Sequence, residues 1–164
     1  MRNLLIFDLP NRSRSYEGSD LSANVAYNMV GSTGSGTVCP SLYSWIIAIW
    51  LGTYGDISPI SVTGSPVAAA TFSGVTFDVY KGSNPLGPSA VVHTFVATEN
   101  ATSFRGDLLE FANWIVENDG ASEDRCIHSI QGGSEIYGGT DAVFKSSSYS
   151  VQQVRQSDPA PSKD

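Results

Sequence analysis

The sequence has little charge and no long apolar run, and each shortage excludes a class of protein. Charged residues make up 15% of the 164 residues, and the formal net charge is −7. A chain with this charge is poorly suited to binding phosphate backbones, so we expect no nucleic-acid partner. No run approaches the roughly 18 apolar residues that cross a bilayer, so we expect no membrane partner either.

Cysteine and histidine are also scarce. The two cysteines, Cys39 and Cys126, are too few for a disulfide framework, and whether they pair with each other stays open. The two histidines, His93 and His128, lie far apart, and the chain has no CxxC or HExxH motif. We therefore expect no metal site and no cofactor, and we interpret both histidines as strand side chains with hydrogen-bond partners.

The two ends of the chain bound the expected domain. The segment MRNLLIFDLP has one basic residue and then a short apolar run that stops at Asp8. A secretory signal needs an apolar stretch of about 7–15 residues, so the chain as written carries no recognisable export signal. The tail 154–164 is rich in Pro and Ser and is predicted to be disordered. Residues 1–153 are expected to form one domain.

What the sequence does contain is abundant Gly, Ser, Thr and aromatic residues, a mix typical of short strands joined by turns. The most apolar stretch, 44–51, is too short for a typical buried helix and is predicted as a buried strand. The Gly/Ser-rich segment 30–37 is predicted as a flexible loop. The other predicted strands are 23–29, 66–72, 75–82, 90–97, 124–135 and 141–153.

One segment has helical periodicity instead. Its N-cap is predicted at Ser103 and its terminator at Gly120. Many strands with a single helix favour an all-β fold, a β-sandwich with one helix packed on it. The apolar residues that recur with helical spacing are Phe104, Leu108, Phe111, Ala112 and Ile115.

Several motifs, in order along the chain, resemble glycoside hydrolase family 12, a family of secreted endo-β-1,4-glucanases acting on cellulose, mixed-linkage glucan and xyloglucan. SIQGGSEIYGGTDA resembles the family's catalytic strand, whose pattern is close to Gln-x-Gly-Thr-Glu-x-Phe-x-Gly. SRSYEGSDLSANVAYNM, IWLGTYGDISPI and FDVYKGSN also fit in order and spacing. The resemblance implies a jelly roll of antiparallel strands without the family's N-terminal strands. It also implies an extracellular monomer with a β-1,4-glucan partner.

The resemblance also assigns roles to individual residues. Retaining hydrolysis uses two carboxyl groups about 5–5.5 Å apart, a nucleophile and an acid/base. The Gly-Thr-Glu motif of the family maps the acid/base onto Glu135. Gln131 shares its strand parity and is expected in the same cleft. Trp50, Pro59 and Tyr137 match positions at or near the sugar cleft, where they are expected to contact substrate.

The nucleophile is the position that departs from the family. In the family it stands four residues before the tryptophan that matches Trp50, and this chain has Ile46 there. An isoleucine cannot attack an anomeric carbon. A shift of two residues would bring Ser44 to that place, but a hydroxyl without a base is a poor nucleophile.

A second departure is Asn28, which stands where the family has an aspartate that hydrogen-bonds the nucleophile. Neither Asp56 nor Asp141 has the parity and position to substitute. The sequence therefore predicts a family 12 protein whose hydrolytic activity is lost or very weak. Two alternatives stay open. One is a non-catalytic role in binding glucan or in sequestering a plant protein inhibitor of the active enzyme. The other is an incomplete gene model of an active retaining endoglucanase.

Overall fold

The computed structural model describes residues 4–6, 16–34, 39–84, 90–144 and 152–154. The predicted tail beyond residue 154, positions 35–37 of the predicted loop and positions 145–151 of the predicted strand 141–153 lie outside these ranges. Within them, no helix has the length and apolar character to cross a membrane. The elements are β1 (Leu4–Ile6), β2 (Tyr16–Thr33), β3 (Trp45–Tyr54), β4 (Ala68–Phe72), β5 (Val75–Ser83), β6 (Val91–Ala97), α1 (Leu108–Asp119), β7 (Arg125–Phe144) and β8 (Gln152–Val154).

Six of the strands form one sheet in the order β4-β5-β6-β3-β2-β7, and β1 pairs with β8 in a separate two-stranded sheet. The prediction of a mostly β fold with one helix is confirmed. One pairing differs from the expected antiparallel pattern, because β3 and β6 are parallel. The hairpins β4-β5 and β5-β6 are antiparallel, so β6 comes back beside β3 running in the same direction.

Two predicted boundaries were wrong because β2 and β7 are longer than expected. Residues 30–33 belong to β2, and the predicted strands 124–135 and 141–153 overlap a single strand, β7, that ends at Phe144. These two strands pair along nearly their whole length, and register shifts absorb the irregular positions. The glycine-rich segment around Gly139 and Asp141 was expected to interrupt the strand, but it continues as part of β7. The two residues accommodate the irregularity by adopting positive φ angles of 149° and 52°.

The helix begins later than its apolar pattern indicated. Asp107, not Ser103, is the N-cap, with extended backbone angles and a carboxylate that accepts a 2.8 Å hydrogen bond from the Leu109 amide. Phe104 is buried, but it reaches the core from the extended segment before the helix. Gly120 ends the helix in the left-handed conformation (φ 64°), as predicted.

The helix covers one face of the sheet and leaves the other face for the site. Ile47, Ile49 and Leu51 of β3 are at most 1% exposed and pack with the helix in the main core. Because side chains alternate along a strand, Ile46, Ala48 and Trp50 face the opposite side. The core is strongly aromatic, with Phe111 of α1 in ring contact with Phe72, Phe77, Phe95 and Phe104.

Both histidines have hydrogen-bond partners, as predicted. His128 Nε2 lies 2.9 Å from Ser32 Oγ. His93 Nε2 lies 3.0 Å from Asp119 Oδ2 at the end of the helix, and the residue is only 4% exposed. The described residues contain no group of three or more His, Cys, Asp or Glu side chains arranged to hold a metal.

The burial of His93 is expected to make stability depend on pH. Burial lowers the pKa of His93 below its usual 6.5, although Asp119 partly opposes this. The unfolded chain therefore takes up a proton at higher pH than the folded protein, and stability is lost as pH falls through about 6.5, by up to about 1.4 kcal/mol per pH unit. Urea unfolding between pH 7.5 and 5.5 measures this slope. His93→Gln is expected to flatten it, while His128→Gln, which keeps His93, leaves it unchanged. Equal slopes for all three proteins would contradict this reading.

Candidate active site

Glu135 stands on the uncovered face of the sheet and is held by three hydrogen bonds. Its Oε2 accepts from Asn24 Nδ2 at 2.6 Å and from the Tyr137 hydroxyl at 3.2 Å. Its Oε1 accepts from Asn28 Nδ2 at 3.2 Å. All three donors are neutral, and they orient the carboxylate. Because Glu135 is also exposed, the carboxylate remains open to a ligand.

Asn24 is the residue that sequence reasoning missed. It is fully buried, and besides donating to the carboxylate it accepts a 3.3 Å hydrogen bond from the Glu135 amide through Oδ1. The two residues are cross-strand partners in the β2–β7 pairing. The only sequence signal was its spacing of four from Asn28, which places both amides on the same face of β2.

Gln131, which was expected in the same cleft, lines the same cavity as Glu135. Gln131 and Asn28 are cross-strand partners in the β2–β7 pairing, and Gln131 lies four residues before Glu135 on β7. Together with Ala26, the three residues line a shallow cavity of about 190 Å³. The structure therefore brings together Glu135, Gln131 and Tyr137 from the predicted site, with Asn28 from the departures.

Strand β3, which pairs with β2, has apolar side chains at the positions opposite the cavity residues of β2. On β3, Ala48 pairs with Asn28 and Trp50 pairs with Ala26. Ile46 pairs with Val30, the next residue of β2 on that face. Ile46 is half-buried. Ser44, the alternative considered from the sequence, lines a different cavity on the helix-covered face, so a shift of register does not bring it to Glu135.

The other described carboxylates do not line the cavity of Glu135. Asp56 and Asp141 are exposed and lie beyond the ends of the paired cleft residues, in the turn after β3 and at a left-handed position on β7. Asp78 is in register with Val96 on the uncovered face of β5. It is four strand spacings from β7, or about 19 Å along the sheet. Among the described residues, Glu135 is thus the one carboxylate of the cavity.

The three predicted sugar-contacting residues differ in accessibility. Tyr137 is 63% exposed beside Glu135, and partial burial, followed by the charge of Glu135, raises the pKa of its hydroxyl. Trp50 faces the same side but is only 6% exposed, because it packs in a small cluster with Ile57. Pro59 is half-buried in the segment after β3 and does not line the cavity around Glu135.

Comparison with known protein families shows which family has this fold and this site. The model of glycosyl hydrolase family 12 matches residues 10–153. The chain belongs to this family. The match spans the sheet, the helix and every residue of the cavity, so the likeness includes the surface that carries Glu135.

Two fungal xyloglucanases are similar to most of the chain. It is 40% identical over 137 residues to the probable xyloglucan-specific endo-beta-1,4-glucanase A of Aspergillus fumigatus, covering 84% of this chain and 55% of that protein. It is 42% identical over 136 residues to the xyloglucan-specific endo-beta-1,4-glucanase A of Emericella nidulans, covering 83% and 54%. The chain therefore spans about half the length of these relatives.

Solved family 12 structures share the fold. Trichoderma harzianum endoglucanase 3 superposes with a TM-score of 0.75 at 28% identity, covering 93% of this chain and 63% of that one. A family 12 xyloglucanase from Bacillus licheniformis has the same TM-score at 23% identity, which shows the fold alone.

The Asn24–Glu135 contact predicts a charge-dependent loss of stability in Asn24→Asp. The new carboxylate would be fully buried beside Glu135, which raises its pKa by burial and like charge. Folding then favours its protonated form, so stability falls as pH rises above about 4, by about 3 kcal/mol or more at pH 7. Urea unfolding at pH 4 and pH 7 measures the difference. Asn28→Asp, at a half-buried position 3.2 Å from Glu135, is the matched control with a smaller loss. A loss independent of pH would contradict the charge contact.

Proposed function

We propose that this family 12 chain binds β-1,4-glucan, with xyloglucan as the first candidate, and that its hydrolytic activity is lost or very weak. The observation that carries the proposal is the apolar set Ile46, Ala48 and Trp50 on the strand that faces the cavity of Glu135. A retaining mechanism needs a second carboxyl group on the far side of the sugar, and these three side chains offer none.

The remaining surface supports binding of a polysaccharide. Glu135, Gln131 and Asn28 supply hydrogen-bond donors and acceptors for sugar hydroxyls around one cavity. Tyr137 adds an exposed ring of the kind that recurs in carbohydrate-contacting surfaces as a flat apolar face with a polar tip. The relatives at 40–42% identity are named xyloglucan-specific, which favours xyloglucan over other β-glucans.

We also propose that the protein works outside the cell. Cys39 and Cys126 form a disulfide, which joins the segment before β3 to the start of β7. Disulfides form and persist in oxidising compartments and are rare in the cytosol. The bond thus supports the extracellular location that family resemblance implies.

Affinity electrophoresis in gels with and without xyloglucan tests the binding proposal. The wild-type protein is expected to be retarded by xyloglucan. Tyr137→Ala is expected to weaken the apparent affinity by about fivefold, equivalent to roughly 1 kcal/mol. Tyr43→Ala, at a half-buried tyrosine bonded to Asn84 away from the cavity, is the control and is expected to bind like wild type. Unretarded migration of the wild type would overturn the binding proposal, and equal retardation of both variants would remove the cavity from it.

A further inference from the structure

A second cavity lies on the helix-covered face of the sheet, at the end of α1 and away from Glu135. Its volume is about 270 Å³. This is just under the roughly 300 Å³ at which small-molecule pockets begin, so it suits a ligand of a few heavy atoms better than an oligosaccharide. The lining residues that carry hydrogen-bonding groups include Thr33, Ser44, Trp45, His93, Asp119 and Arg125.

Arg125 is a cation without a counterion in this cavity. Its Nε donates to the Ser122 carbonyl at 2.7 Å and its Nη1 to the Ala112 carbonyl at 2.9 Å, so two of its nitrogens tie the helix region to β7. Its Nη2 is buried and has no acceptor among the residues that the structure describes. No described carboxylate lies within ion-pair distance of Arg125, and burial lowers the pKa of its guanidinium.

Trp45 adds a second unmatched donor at the same place. Its indole Nε1 is buried, and no described residue provides an acceptor for it. The guanidinium carbon of Arg125 lies 5.9 Å from the centre of the Trp45 ring, so both unmatched N–H groups belong to neighbouring side chains. A buried donor without an acceptor costs about 1–3 kcal/mol, and a ligand that brings acceptor atoms would recover part of that cost.

The other charged groups of the cavity largely cancel one another. Lys81 Nζ lies 2.6 Å from Asp119 Oδ2, and His93 Nε2 lies 3.0 Å from the same oxygen. Burial lowers the pKa of His93, which keeps its ring neutral near pH 7. The Lys81–Asp119 pair is neutral overall, so the lining residues carry the net positive charge of Arg125.

We propose that this cavity binds a compact oxyanion, a small carboxylate or a phosphate, through the side chains of Arg125 and Trp45. Ser44 and Thr33 add hydroxyl groups at the rim, where Ser44 Oγ already accepts from the Thr33 amide at 3.0 Å. The one carboxylate among the described lining residues, Asp119, already pairs with Lys81. Because the cavity and Glu135 are on opposite faces of the sheet, the proposal is independent of the proposed glucan binding.

Titration of the ¹⁵N-labelled protein, followed by the three tryptophan indole signals, tests the proposal. Sodium malonate and sodium phosphate are the probes, with sodium chloride at matched ionic strength as the salt control. The Trp45 indole signal is expected to shift saturably with at least one probe, while those of Trp50 and Trp114 stay in place. Arg125→Gln is expected to raise the dissociation constant at least tenfold. The matched control is Arg105→Gln, which removes an exposed arginine outside the cavity and is expected to leave the dissociation constant unchanged.

The outcomes separate the anion sources and the alternatives. Saturation by malonate alone assigns a carboxylate site, by phosphate alone a phosphate site, and by both a general oxyanion site, and each supports the proposal. Should Arg125→Gln fail to fold, Trp45→Phe replaces it. The readout is then the rise of the thermal unfolding midpoint that malonate or phosphate produces, and this rise is expected to be several-fold smaller in Trp45→Phe than in the wild type. The proposal is overturned by unsaturable shifts, by shifts that chloride reproduces, by wild-type affinity in Arg125→Gln or Trp45→Phe, or by a Trp45 shift with neutral cellobiose.

Discussion

Incubated with xyloglucan, the protein is expected to release reducing ends no faster than a buffer blank. Beside the xyloglucan-specific endo-beta-1,4-glucanase A of Aspergillus niger, a relative at 40% identity, the rate is expected to be at least about 10⁴-fold lower. The loss of one catalytic carboxylate costs on the order of 10²–10⁴-fold when judged by general acid–base catalysis, and the absence of a nucleophile that we propose at Ile46 would add the loss of the covalent route. A reducing-sugar assay on xyloglucan and on mixed-linkage β-glucan measures both rates.

The variant Glu135→Gln makes this prediction specific. If no hydrolysis occurs, the release of reducing ends equals that of the buffer blank both before and after the substitution. Retardation of the wild type by xyloglucan in affinity electrophoresis would show that the protein still binds the polysaccharide. Turnover above the blank that disappears in Glu135→Gln would show that a working pair of catalytic groups exists, and the claim of lost activity would then be wrong.

Removal of the disulfide is expected to have the largest effect on stability. Cys39 and Cys126 are separated by 87 residues, and a closed loop of that size stabilises the fold by about 4 kcal/mol through the restricted unfolded chain. The double variant Cys39→Ser/Cys126→Ser is therefore expected to lose about that much in guanidinium unfolding. The wild type in reducing agent is the control for the polarity of serine at Cys126, which is only 8% exposed. Coincident unfolding curves for oxidised and reduced wild type would contradict the expectation.

The elements with a clear period were predictable from the sequence. The run 44–51 places Ile47 and Ile49 on the core side and Ile46 on the other, and the structure gives β3 this alternation. The helix was recognisable because its buried residues recur with a spacing of three to four. Its start was not, because Phe104 extends the apolar pattern beyond the residues that are helical.

The features that depend on long-range pairing were beyond local patterns. Glycine-rich residues in β7 resemble a turn, yet they continue a strand because β2 pairs with them. The role of Asn24 depends on Glu135, 111 residues away in sequence. The parallel contact of β3 with β6 and the pairing of Cys39 with Cys126 likewise follow from how distant segments meet, which no window of sequence contains.

The most direct test of the proposed loss of activity is a crystal structure of the protein with a cello-oligosaccharide bound at Glu135. We expect the Glu135 carboxyl group within hydrogen-bond distance of a glycosidic oxygen, with the side chains of Ile46 and Ala48 on the other side of the sugar. A second carboxylate facing Glu135 across the bound sugar, at the separation of about 5–5.5 Å that retaining enzymes use, would contradict the account.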